Sequence, residues 1–145
     1  MKRSIGLLIV AFVVAVTAAS ADARGVGASP LDGTWKWTWT RAELLHPGIT
    51  NARGADILAG RHVATFANGH VTDRNLTTGR VRTGTRFSVH GNVVGFVFPK
   101  RGPGIVPGRT YELRWSIYRD RLRFSELPGR SVLTALPIKP WTRVR

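Results

Sequence analysis

The sequence predicts an all-β fold: an antiparallel up-and-down barrel of about eight strands, with a short helical lid after the first strand. Three observations carry that prediction. From Arg61 onward, apolar residues recur at every second position in short runs, the period of a strand with one buried face. Turn residues punctuate those runs at Asn68-Gly69, Thr78-Gly79, His90-Gly91-Asn92 and Arg119-Asp120. A helix-start pattern, Thr40-Arg41-Ala42-Glu43, follows the first strand. A meander of this kind has exposed edges at each end, and closing into a barrel hides them.

The first strand is GTWKWTWT, Gly33 to Thr40. Trp35, Trp37 and Trp39 alternate with Lys36 and Thr38, so the indoles share one face, which in a closed barrel is the inside. Thr40 and Glu43 then form a capping box, each side chain reaching the other's backbone amide. A short helix should run through Leu44 and Leu45 and stop before Pro47-Gly48. TNARGADILAG supplies a second short helix, and Leu44, Leu45, Ile49, Ile57 and Leu58 give the pair an apolar face. The strands that follow are RHVATF, HVTDRN, GTRFSV and VVGFVF. The Pro/Gly-rich loop PKRGPGIVPG comes next. TYELRWSIY places Tyr111, Leu113, Trp115 and Ile117 opposite Glu112, Arg114 and Ser116. RLRFS places Leu122 and Phe124 opposite Arg121 and Arg123. After the loop ELPGRS, IKPWTRV closes the chain as a last strand.

The N-terminus reads as an export signal. Lys2 and Arg3 precede the apolar run IGLLIVAFVVAVTAA, and Ala19-Ser20-Ala21 supplies the small residues of a cleavage site. The run is short for about 30 Å of hydrocarbon. Residues 1–21 are therefore assigned as a signal peptide cleaved after Ala21, with Ala23 as the alternative site. Residues 22–30 form a Gly/Ala/Ser linker, and residues 31–145 form the domain. The expected location is secreted or cell-envelope-associated.

Lysine and arginine total 22 against 8 acidic residues, a formal charge of +14. Such a surface attracts anionic wall polymers and lipids. There is no cysteine, which excludes disulfides, thiol catalysis and thiolate metal sites.

The chain resembles a known family at specific residues. LDGTW at the first strand resembles the Gly-x-Trp start of lipocalins and other calycins. A strand, a helical lid and then a run of hairpins is similar to the fatty-acid-binding branch. RWSIYRDRLRFSELPG and the closing KPWTRV resemble a lipocalin-like domain of secreted actinobacterial proteins, found at the C-terminus of some extracellular solute-binding proteins. The likeness runs from Leu31 to Val144, without the Thr-Asp-Tyr motif of true lipocalins. It implies that Trp35, beside Gly33, closes the barrel floor with Arg143 packed on its ring.

Little in the chain points to catalysis. His46, His62, His70 and His90 lack metal-ligand helical spacing, although His62 and His70 flank a hairpin and could face each other. Asp32, Asp73 and Asp120 lie at or near turns, Glu43 is explained by its cap, and Asp56, Glu112 and Glu126 have no local explanation. No G-x-S-x-G elbow occurs, and Gly102 to Gly108 lacks the Gly-Lys-Ser/Thr of a phosphate loop. Asn75-Leu76-Thr77 matches a glycosylation tripeptide.

The expected class is a non-enzymatic binding module with no metal or cofactor, acting as a monomer on a small apolar or amphipathic ligand. Its candidate contacts are Trp37, Trp39, Leu44, Leu45, Phe87, Phe96, Tyr111 and Trp115, with Trp39 nearest the lid. An alternative is attachment to an anionic envelope polymer or lipid through Arg114, Arg119, Arg121 and Arg123. A further alternative, from the resemblance, is an accessory to a solute-binding transport system. Nucleic acid is not expected, because the aromatics alternate to the opposite face from the arginines.

Overall fold

A computed structural model describes residues 28–46, 48–129 and 133–145. The signal segment, residues 22–27 of the linker, and Pro47 lie outside the described residues. Eight antiparallel strands form a closed barrel in sequence order: β1 (Gly33–Trp39), β2 (Gly60–Ala67), β3 (His70–Asn75), β4 (Val81–His90), β5 (Val93–Val97), β6 (Thr110–Tyr118), β7 (Arg121–Glu126) and β8 (Trp141–Arg143). The last strand pairs with the first, so the predicted architecture is present.

Between β1 and β2 stand two short helices, α1 (Arg41–Leu44) and α2 (Ala52–Leu58). Thr40 caps α1 through the reciprocal box: its Oγ1 accepts from the Glu43 amide at 3.2 Å, and Glu43 Oε2 accepts from the Thr40 amide at 2.8 Å. Glu43 also pairs with Lys139, and these bonds hold its carboxyl below the usual carboxylate range. Asn51 caps α2 by accepting from the Gly54 amide. Asp56, which has no explanation from its sequence neighbours, pairs with Arg41 at 2.7 Å and ties the helices together.

The barrel has two ends. At the floor lie the start of β1 and the hairpin turns β2–β3, β4–β5 and β6–β7. Asn68 and Gly69 both take positive φ, 51° and 74°, the geometry a two-residue hairpin demands. At the lid end lie α1, α2, the turn 76–80, the loop 99–109 and the segment before β8. That segment departs from expectation: Leu136–Ile138 is a 3-10 turn, and the last strand holds only Trp141–Arg143. Pro137 and Pro140 lack the amide a strand ladder needs.

Inward-facing aromatics fill most of the interior. Trp35, Trp37 and Trp39 are buried while Lys36 and Thr38 are exposed. Trp37 stacks on Trp141 with centroids 3.7 Å apart and planes at 9°. Phe124 meets Trp141 edge-on at 5.0 Å, and Phe66 meets Phe87 edge-on at 5.1 Å. Such pairs each add about 0.5–1.5 kcal/mol beyond the area they bury.

Two placements differ from the sequence expectation. His62 and His70 do not face each other: His62 pairs with Asn75 and His70 with Ala67. Asp73 is in the body of β3, opposite Ala64, rather than at a turn. Asn75 is buried, donating Nδ2 to the Ala59 carbonyl at 2.9 Å and accepting from the Thr77 and Thr78 amides. The glycosylation-like tripeptide therefore belongs to a structural turn, with its amide nitrogen already engaged.

Candidate functional site

The floor is sealed from the sequence upward. Trp35 is 0% exposed, and its Nε1 donates to the Leu31 carbonyl at 2.9 Å. Arg143 lies opposite Trp35 in the β1–β8 register, with its guanidinium carbon 4.4 Å from the ring centroid. The same guanidinium donates to the Asp32 carbonyl at 3.2 Å. Gly33 has φ 128°, and a Cβ there would meet Arg143 Nη1 at 3.0 Å, so the glycine lets the arginine cross. Ser29 joins the same end, its amide donating to Asp32 Oδ2.

The lid end holds a cavity of about 100 Å³. Ligand sites commonly enclose roughly 300–1,000 Å³, and a cavity of about 150 Å³ admits benzene. The space therefore suits a short apolar group and not a long acyl chain. Trp37, Trp39 and Phe96 line it, together with Phe66, Thr85, Ile105 and Trp141. The other candidate contacts do not line this cavity. Leu44 is fully buried in the core and Leu45 is partly exposed on the lid. Phe87 packs on Phe66 deeper in the barrel. Trp115 lies toward the floor, its amide bonded to the Asn92 carbonyl in the β4–β5 turn.

Tyr111 acts instead as a post for the loop 99–109. Its hydroxyl accepts from the Val106 amide at 2.7 Å and donates to the Gly104 carbonyl at 3.2 Å. Ile105 is thereby folded back and buried in the cavity wall. On the other side, Thr134 Oγ1 donates to the Ile49 carbonyl at 2.8 Å and joins the segment before β8 to the lid.

Besides Asp32 Oδ1 and Trp115 Nε1, four buried side-chain atoms, all on residues of the cavity wall, have no hydrogen-bond partner among the described residues. They are Nε1 of Trp37, Nε1 of Trp39, Nε1 of Trp141 and Oγ1 of Thr85, and all four residues line the space. An unpaired buried donor or acceptor costs about 1–3 kcal/mol, and native structures rarely leave such groups together.

Beside the cavity is a second, polar pocket of about 470 Å³. Leu58, Asp73, Arg82 and Pro103 belong to both walls, so the two spaces adjoin. His62 is buried at their boundary, with Nδ1 3.1 Å from Asp73 Oδ1 and Nε2 2.8 Å from the Leu58 carbonyl. Sequence reading missed this pocket. Its main signal is Gly84, φ 78°, inside the β4 pattern. Arg82 pairs with Asp73 and Thr85 with Val71, so β4 holds one residue more than β3 over this stretch. That bulge puts Arg82 on the cavity side with Thr85, where strict alternation would send the two to opposite faces.

Arg114, Arg119, Arg121 and Arg123 are exposed on the β6–β7 hairpin. In the register Arg123 faces Ser116, Arg121 faces Tyr118, and Arg114 faces Ser125. On this hairpin the expected separation of aromatics from arginines fails at Tyr118. Tyr118 is 72% exposed, and the Arg119 guanidinium lies 5.3 Å from its ring.

The chain matches no family model, no curated protein and no solved structure. Its closed eight-stranded antiparallel barrel is consistent with a lipocalin-like fold.

Proposed function

We propose that the chain is an exported, non-enzymatic, lipocalin-like binding protein for a small amphipathic molecule held at the lid end. One observation carries this reading: a small apolar cavity is walled by Trp37, Trp39, Trp141 and Thr85, whose buried indole N–H and hydroxyl groups have no partner among the described residues. A compact apolar group carrying a carbonyl or ether oxygen would fill the space and accept from those donors. The net gain comes from pairing groups that folding leaves desolvated.

Indole N–H resonances test the reading directly. Acetone should shift the Trp37, Trp39 and Trp141 signals saturably, and isobutene, similar in shape but without an acceptor oxygen, should bind at least tenfold more weakly. Trp35, whose N–H is already bonded to Leu31, and Trp115, near the floor, serve as internal references. Equal small shifts in all five indoles, or none, would remove the proposal.

A second reading rests on the β6–β7 hairpin, where Tyr118 and four arginines share an exposed face suited to an anionic envelope polymer or lipid. Binding to phosphatidylglycerol vesicles should fall steeply between low and physiological salt. It should also weaken when Tyr118 and Arg121 are both replaced by Ala. Salt-independent binding would count against this face.

A further inference from the structure

We infer that the polar pocket beside the cavity is an oxyanion subsite, and that it takes the anionic end of the molecule whose apolar part enters the cavity. This rests on the ligand-binding reading above. Arg80, Arg82, Lys100 and Arg101 line the pocket against a single carboxylate, Asp73. That carboxylate is already engaged by His62. Among the described residues, none of the four cations forms an ion pair. Four like charges around one concavity repel one another, and a bound anion relieves that repulsion.

The cations are positioned by structure rather than scattered. Arg80 ends the turn built on buried Asn75, whose amide donates to the Arg80 carbonyl at 2.9 Å. Gly60 lets that turn approach the lid: a Cβ there would come within 2.7 Å of Asn75 Oδ1. Arg82 is turned toward the pocket by the Gly84 bulge, and its guanidinium carbon lies 5.8 Å from the Phe98 ring centroid. Lys100 and Arg101 sit on the loop pinned by Tyr111 and by the Gly102–Ile105 bridge. Arg82 and Asp73 belong to both spaces, so an anion in one lies beside an apolar group in the other. Guanidinium groups are suited to the paired oxygens of phosphate, sulfate or carboxylate.

The test titrates the full chain with inorganic phosphate, hexyl phosphate and acetone, following backbone amides of residues 100–102 and the indole N–H signals. Wild type is compared with Arg80→Ala/Lys100→Ala/Arg101→Ala, three exposed positions outside the core. Hexyl phosphate should bind wild type at least tenfold more tightly than inorganic phosphate does. The triple variant should lose at least tenfold in hexyl phosphate affinity while binding acetone as before. Unchanged hexyl phosphate affinity in the variant overturns the oxyanion subsite and leaves the cavity reading standing. Arginine-dependent phosphate binding without any acetone effect overturns the cavity reading, and with it the joined ligand.

Discussion

Trp35→Ala is expected to lower unfolding free energy by about 3–5 kcal/mol, the range for removing a large aromatic from a packed interior. Three losses coincide there. The indole is fully buried, so its area leaves a void at the floor. The Leu31 carbonyl loses its indole N–H partner at a residue that is itself fully buried. Arg143 loses the ring it covers and keeps only backbone carbonyls as acceptors among the described residues. Arg143→Ala alone should cost less, because the ring remains packed from inside. In a double-mutant cycle the pair should couple by about 0.5–2 kcal/mol, the scale of a cation–π contact that is partly desolvated. Urea unfolding of the four proteins gives the answer. A cost below 1 kcal/mol for Trp35→Ala, or additive single effects, would mean that the floor is not held by this pair.

The barrel was legible in the sequence because its determinants are local or periodic, whereas the Trp35–Arg143 floor pair was implied only by the family resemblance. Alternation over Trp35, Trp37 and Trp39 marks the inner face without knowledge of any partner strand. Thr40 and Glu43 announce α1 within four residues, and Asn68-Gly69 announces a hairpin. The lid-end pockets depend on distant juxtapositions instead. His62 meets Asp73 through the β2–β3 register, and Arg82 reaches the cavity only because Gly84 adds a residue to β4. Ile105 looks like loop sequence, yet Tyr111 folds it back into the wall. Leu133 and Leu136 follow what reads as an irregular tail and line the same space. The lid pair Leu44 and Leu45 follows helical patterning, but that patterning does not say which residues face the cavity.

Trp141→Ala should be comparably destabilising, by about 3–5 kcal/mol, and should also change what the barrel can hold. β8 closes the barrel with few backbone contacts: its register pairs Arg143 and Thr142 with β1, and Thr142 and Trp141 with β7. Its hold on the core therefore comes largely from the Trp141 side chain, stacked on Trp37 and set edge-on to Phe124. Removing the indole weakens the seam and enlarges the cavity that Trp141 already lines. Added indole should then raise the variant's melting temperature in a concentration-dependent way, as expected for a ligand that binds only the folded state. Wild type should respond far less, because the same space is occupied by its own side chain. Rescue by indole would show that β8 stays docked and that the loss is one of packing. Destabilisation without rescue would locate the cost in detachment of the strand, and a change under 1 kcal/mol would refute the side chain's role in closing the barrel.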